Sequence, residues 1–437
     1  MVVQVGLMAM GVVDSIMVGR ISAAALAGVA LGNVYFYACA VFGMGTLLAL
    51  DPIVAQAVGA GDDASVTRAL QRGLLLSLGL SVPISLLLLP ARPALQALGQ
   101  PPEVVPIAAG YVLREIPGVL PFLAFTVLRQ TLQALGRMRA IVAAIVLANL
   151  LNVLLNWMLI YGHWGAPAMG AFGSAWSTTI SRWAMAGGLG ALAWRALHPH
   201  LRTLHPDTLA AVPLGRMVAL GAPIGAQMQL EFGVFGAIGL LMGRLGTVPV
   251  AAHQIALNLA SLTFMVPLGV SAAGAVLVGR AVGQGDAAGA RRASRTTLLW
   301  GVGFMAITAL VFLGVPAPLA RVYSDQPAVV LLASALLPIA GVFQVFDGIQ
   351  VVSIGALRGL GDTRAPFAMN LIGFWLVGLP VSLLLGFRTP LGPRGLWWGL
   401  VVGLVAVALG LLIRLRGRLR RAVARVRIDD AVPTPVN

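Results

Sequence analysis

Apolar runs of about 20 residues recur along the whole chain, and nothing else in the sequence limits the fold so severely. A bilayer core about 30 Å thick is crossed by roughly 20 residues at 1.5 Å rise each, and in lipid only a helix satisfies its own backbone locally. Twelve spans meet that criterion, approximately 2–19, 25–50, 70–90, 104–128, 139–160, 168–194, 214–242, 250–279, 297–315, 328–357, 366–386 and 395–413. The composition agrees: 59% of residues are hydrophobic, 10% are charged and the mean hydropathy is +0.93, which excludes a soluble enzyme. Pro83, Pro117, Pro121, Pro267, Pro338 and Pro380 fall inside spans and mark candidate bends.

All 29 basic residues are arginine, set against 14 acids, for a net charge of +15. Such a balance suggests a nucleic-acid partner, yet the long apolar stretches leave little polar surface to present one, so the charge is assigned to membrane loops. Twelve crossings put both termini on one side. That side carries 21 of the 29 arginines, among them seven from Arg414 to Arg427, whereas the other has six: Arg20, Arg92, Arg244, Arg321, Arg388 and Arg394. The excess predicts cytoplasmic termini, with the basic tail anchored at lipid headgroups. Cys39 is the single cysteine, so neither an internal disulfide nor a cysteine metal cluster is expected. No cationic segment precedes the first apolar run, whose first charge is Asp14, and no removable signal peptide is expected.

The chain also repeats itself. At an offset of 224, Val18-Gly19-Arg20 aligns with Met242-Gly243-Arg244, and Ala57–Asp62 (AVGAGD) with Ala281–Asp286 (AVGQGD). At 225, Leu135–Arg139 (LGRMR) meets Leu360–Arg364 (LGDTR). Because six is even, both copies enter from the same side, which predicts two parallel six-helix repeats, an architecture of transporters that rock two lobes about a central cavity. The expected division is an N-lobe over 1–195, a cytoplasmic linker over 196–213, a C-lobe over 214–413 and a basic tail over 414–437. The same comparison makes the first span about eleven residues shorter than the seventh, where Pro223 is expected to cause a bend, so helix 1 is expected to be truncated at its N-terminal end.

Most acids sit in loops, leaving Asp14, Asp51, Glu115, Glu231 and Asp347 in or near spans. An intramembrane carboxylate costs several kcal/mol, so it ordinarily faces a protein interior or water and marks an ion path. Glu231 and Asp347 both fall near mid-depth of their spans, and two acids at close quarters bind a proton or share a cation. Asp14 has Ile238 as its repeat equivalent, so the duplicated fold does not require it. Asn152 and Asn156, at i and i+4, present their amides on one helical face. Asp51, before Pro52, reads as a helix-end acid, and Glu115 as neutralised by adjoining Arg114. Gly359-Leu360-Gly361-Asp362 has the GxGD form of membrane aspartyl proteases, but its repeat partner carries Arg137 in place of the acid. His253 reads as a packing histidine, and without lysine no Walker motif exists. Energy is therefore expected to come from an ion gradient.

The stretches Val13–Arg20 (VDSIMVGR), Pro52–Asp62 (PIVAQAVGAGD) and Ala251–Asn258 (AAHQIALN) resemble the multidrug and toxic compound extrusion (MATE) family, and Glu231 with Asp347 is similar to its NorM-like branch. The resemblance covers nearly the whole chain. It implies an all-α membrane protein of twelve transmembrane helices, with the N-lobe and C-lobe forming a V, that exports mostly cationic, amphipathic drugs in exchange for protons or sodium. By resemblance Asp14, Asn152, Asn156 and Thr178 match an N-lobe polar site, and Glu231 and Asp347 a C-lobe cation site, a candidate for sodium. Some relatives have an acid where Asn156 stands, and some sodium-linked ones a tyrosine where Phe343 stands; losing those oxygens tilts the expectation towards protons. No cofactor is expected beyond the coupling ion. Small cationic or amphipathic drugs and membrane lipids are the expected partners of a monomer in the bacterial inner membrane. The alternative is a flippase for lipid-linked saccharides, which should line its cavity with arginine; only Arg114 and Arg182 are available for that.

Overall fold

The computed structural model describes residues 2–421 and 424–429, and its regular elements there are all helical. In chain order they are α1 (Val2–Gly19), α2 (Ala23–Leu47), α3 (Leu50–Gly59), α4 (Asp63–Leu88), α5 (Ala91–Ala97), α6 (Val105–Glu115), α7 (Val119–Ala134), α8 (Met138–Tyr161), α9 (Ala171–Leu192) and α10 (Trp194–Leu201). After them come α11 (Ala211–Leu245), α12 (Thr247–Gly283), α13 (Ala287–Gly314), α14 (Pro316–Arg321), α15 (Pro327–Gly359), α16 (Arg364–Asn370), α17 (Leu379–Phe387) and α18 (Pro393–Arg420).

Among the described residues, eleven helical stretches are long and apolar enough to cross a bilayer, three of them being the bent pairs α2 with α3, α6 with α7, and α16 with α17. The twelfth crossing is α9, 22 residues long. It is less apolar because Ser174, Ser177, Thr178, Thr179, Ser181 and Arg182 all lie on it, and all are buried within the protein. Pro117 sits in the 3₁₀ turn Ile116–Gly118 that bends α6 into α7, and Pro83, Pro223, Pro267 and Pro338 lie inside helices. Between α16 and α17 the chain widens into a π-helical stretch, Leu371–Gly378.

The repeated sequence has a local physical cause. After α3 the chain turns through Gly61 at φ +67°, with Asp62 N donating to Ala57 O at 3.0 Å, and the Asp62 carboxylate then caps α4 by accepting from Ser65 N at 3.0 Å. After α12 the turn recurs at Gly285, φ +72°, with Asp286 N donating to Ala281 O at 2.9 Å and Asp286 accepting from Gly289 N at 2.7 Å. Gly136 and Gly361 repeat the glycine turn, both at φ +76°. Each is a Schellman stop that a side chain with a Cβ would strain. GxGD therefore encodes a helix stop. Its acid, Asp362, is held by Arg414 at 2.8 Å and Arg418 at 3.4 Å.

The chain forms two compact units, Val2–Gly225 with the described chain end 427–429, and Ala226–Val426. Their boundary lies inside α11. In the first unit α8 packs against α1 and α9, and α9 also meets α6 and α7. At its end Asp429 accepts from Arg68 Nε at 2.7 Å and Arg72 Nη1 at 2.5 Å, while Arg216 donates to Ile428 O at 2.7 Å. In the second unit α15 packs against α12, α13 and α18. Gly355 and Gly359 on α15 face the Ser271 and Ala275 carbonyls of α12, and a Cβ at Gly359 would stand 2.6 Å from Ala275 O. Small residues there let the two backbones approach closely.

Candidate functional site

In the first unit three helices converge on one carboxylate. Asp14 of α1 is 2% exposed; its Oδ1 accepts from Asn156 Nδ2 of α8 at 2.6 Å, and its Oδ2 from the Thr178 hydroxyl of α9 at 2.6 Å. Asn156 Nδ2 also donates to Asn152 Oδ1 at 3.2 Å, one helical turn earlier on the same face. Both asparagines are fully buried. Four of the expected site residues are thus brought into one cluster. Asn152 Nδ2 and Asn156 Oδ1 are buried with no hydrogen-bond partner. A purely structural network is normally closed, so these open valences leave polar capacity beside the acid.

In the second unit, Glu231 of α11 accepts at Oε1 from Gln350 Nε2 at 2.7 Å and from Gln227 Nε2 at 3.2 Å. Gln350 continues to Asn370 Oδ1 at 2.9 Å, immediately before the π-helical stretch. Asp347, one turn before Gln350 on α15, lies within electrostatic reach of Glu231. The hydrogen bonds to Glu231 come from amides rather than from Asp347, so the two acids share a neighbourhood without a direct bond. One turn away from them, Phe235 and Phe343 pack edge to face at 6.0 Å between centroids. Phe343 in turn meets Trp397, against which the buried His253 ring stands at 5.7 Å.

The chain matches the MatE family over residues 1–158 and 223–384. It is 38% identical over 447 residues to the multidrug resistance protein PmpM of Pseudomonas aeruginosa, covering 99% of this chain and 92% of that protein. The chain belongs to the MatE family. To the multidrug resistance protein NorM of Photobacterium profundum it is 35% identical over 418 residues, 93% of this chain and 91% of that one, which places it with the NorM-like members. Its fold is that of solved MATE transporters: the eukaryotic AtDTX14 superposes with a TM-score of 0.88 at 22% identity, covering 96% of this chain and 95% of that one. The Vibrio cholerae transporter VcmN in its bent form gives 0.83 at 21%, covering 96% and 94%. This MatE chain is accordingly a secondary transporter and not an enzyme.

One acid of this MatE chain has a partner other than its neighbour in sequence. Glu115 does not pair with Arg114: neighbours in a helix point about 100° apart and cannot share a face. It is 0% exposed and pairs with Arg182 of α9 at 3.2 Å. That guanidinium also lies 4.2 Å over the Phe36 ring. Arg114 instead lies 4.0 Å over Phe172 and donates to Gly110 O at 2.8 Å. Arg182 stands one turn beyond Thr178, and its charge is felt at Asp14. Also missed were Gln227, Gln350 and Asn370. Two of these carried a signal, since Gln227 is four residues before Glu231 and Gln350 three after Asp347, both same-face spacings.

Proposed function

We propose that this chain is a multidrug exporter that carries small cationic, amphipathic compounds out of the bacterial cell in exchange for protons, working as a monomer in the inner membrane with both termini in the cytoplasm. The Asp14 cluster carries this reading. Both carboxylate oxygens are engaged by short bonds from a hydroxyl and an amide, and of these two the Thr178 hydroxyl can turn to accept, so a proton taken up on Oδ2 can be donated to it while the Asn156 N–H stays on Oδ1. A proton needs only that one reversal, whereas sodium needs a shell of several oxygen ligands. Glu231 and Asp347 supply two further carboxyl groups beside the Phe235 and Phe343 rings, a combination that attracts an apolar cation. Drug and proton compete for the same carboxylates, so binding of one from its own side of the membrane favours release of the other.

A cationic substrate is favoured over a lipid-linked saccharide because both candidate guanidiniums are engaged internally, Arg182 by Glu115 and Arg114 by Gly110 O and Phe172. The test is ethidium efflux from vesicles under separately imposed proton and sodium gradients. A proton gradient alone should drive efflux, and Asp14→Asn, Glu231→Gln and Asp347→Asn should each abolish or strongly reduce it. Wild-type efflux in all three variants would refute the mechanism, and efflux driven by sodium alone would refute the choice of ion.

A further inference from the structure

A groove of about 480 Å³ lies in the second unit where α11 and α17 end, lined by Arg244, Pro380, Leu383, Leu384, Phe387 and Arg388. Its chemistry is of two kinds. Leu383, Leu384 and Phe387 are 41%, 51% and 44% exposed and make an apolar wall, while two exposed guanidiniums stand at its rim. Neither arginine has a carboxylate partner among the described residues. Nor does either guanidinium hydrogen-bond the carbonyls at its own helix end. Leu384 O accepts from Arg388 N, Leu385 O from the Thr389 hydroxyl, and Gly243 O from Gly246 N. Up to ten N–H donors on the two cations lining this groove are thus left without an anion among the described residues.

Two further facts narrow the ligand. The groove lies at the ends of membrane-crossing helices, which is the depth of lipid headgroups, and its apolar wall continues along α17 towards the hydrocarbon. Moreover, Arg244 and Arg388 belong to the six arginines on the side of the chain that is otherwise poor in them. Charge there does not serve the topology signal and needs another reason.

We propose that this groove binds an anionic phospholipid, its phosphodiester held by Arg244 and Arg388 and an acyl chain lying along Leu383, Leu384 and Phe387. Guanidinium forks match phosphate oxygens in pairs, and the wall removes acyl surface from the rim. The bound lipid pins the ends of α11 and α17 together at the membrane face, and α11 is the helix that carries Glu231.

The test uses the full chain purified in detergent, titrated with phosphatidylglycerol and separately with zwitterionic phosphatidylethanolamine, with bound lipid counted by native mass spectrometry. Removing two headgroup-level arginines should weaken phosphatidylglycerol binding about 25-fold, roughly fivefold for each. The Arg244→Gln/Arg388→Gln double variant should therefore lose the tightest phosphatidylglycerol adduct and keep its phosphatidylethanolamine binding. Arg244→Lys/Arg388→Lys keeps both charges but loses the forks, so it should hold the adduct more tightly than the glutamine pair and less tightly than the unaltered chain, which guards against misfolding as the cause of a loss. Arg321→Gln/Arg394→Gln removes the same charge from the same side and should leave the adduct intact. Unchanged binding in the first double variant, an equal loss in the Arg321/Arg394 control, or displacement of the lipid by millimolar inorganic phosphate would each overturn the proposal, the last by assigning the site to a free anion.

Discussion

Replacing Gly355 by alanine should damage both stability and transport by a route that can be followed through the structure. A Cβ there would press directly on the Ser271 carbonyl of α12, more closely than the 2.6 Å that a Cβ at Gly359 would make with Ala275 O. Backbone carbonyls cannot rotate away, so α15 must recede by at least about 0.8 Å to restore ordinary contact at 3.4 Å. Overpacking of this kind costs roughly 1–3 kcal/mol. The Ser271 hydroxyl bond to Val351 O, 2.6 Å across the same interface, would lengthen with it. Gln350, five residues away on the same helix, would be displaced with it and its 2.7 Å bond to Glu231 disturbed. The matched control is Gly303→Ala on α13, where nothing lies within 4 Å of the new Cβ. It should be neutral or stabilise by about 0.5–1 kcal/mol through helix propensity alone. Tryptophan-fluorescence unfolding in detergent reads the stability, and dye efflux from vesicles reads the transport. If Gly355→Ala unfolds and transports as Gly303→Ala does, the contact between α12 and α15 does not hold Gln350 against Glu231.

Three further outcomes follow from individual contacts. Arg182→Met strands Glu115 in the interior and should destabilise by about 3–5 kcal/mol, while the Arg182→Met/Glu115→Gln pair should recover much of that; thermal unfolding decides, and a double variant no better than the single would disprove the pairing. Thr178→Val keeps the shape of the side chain but removes the donor to Asp14 Oδ2, so proton-driven efflux should fall at least tenfold, whereas Thr178→Ser should retain it. At the chain end, burial pushes the Asp429 carboxyl up, but hydrogen bonds and charge from Arg72 and Arg68 outweigh it and hold the group below its usual 3.8. An acid depressed in the folded state contributes its stability above the unfolded value and loses it as pH falls through the lower folded value. Docking of the chain end should therefore be unaffected between pH 5 and 8 and weaken below about pH 4, and Asp429→Asn should loosen it at neutral pH by roughly 1 kcal/mol. Trypsin cleavage after Arg425 and Arg427 at neutral pH measures the effect of the substitution, a fluorescent label at the chain end follows the docking as pH falls, and a cleavage rate unchanged by the substitution would contradict this account.

Much of the architecture is local and could be read without coordinates. A crossing needs only length and apolarity, so eleven of the twelve satisfy that rule directly among the described residues, and α9 keeps enough apolar length to be legible as a span despite its buried Ser, Thr and Arg residues. Schellman glycines with a capping Asp are also local, which is why Gly61-Asp62 and Gly285-Asp286 exposed the duplication. The i, i+4 amides Asn152 and Asn156 and the unduplicated Asp14 pointed to a polar site because helical periodicity alone puts both amides on one face.

What the sequence could not decide is which helix meets which. Glu115 has Arg114 beside it in the chain but Arg182 beside it in space, 67 positions away, because the turn of α6 directs its side chain onto α9. Glu231 and Asp347 lie within electrostatic reach of each other, yet the hydrogen bonds of Glu231 come from Gln227 and Gln350, which periodicity marks as same-face neighbours but cannot single out among other glutamines. The π-helical widening at Leu371–Gly378 depends on contacts with α18, where Gly373 and Gly378 meet the backbone of Gly403. Helix formation in a membrane is settled residue by residue by the cost of an unpaired backbone, which a sequence records. Side-chain partners are settled by how whole helices pack, where small differences in rotation exchange one neighbour for another, and only the tertiary structure holds that information.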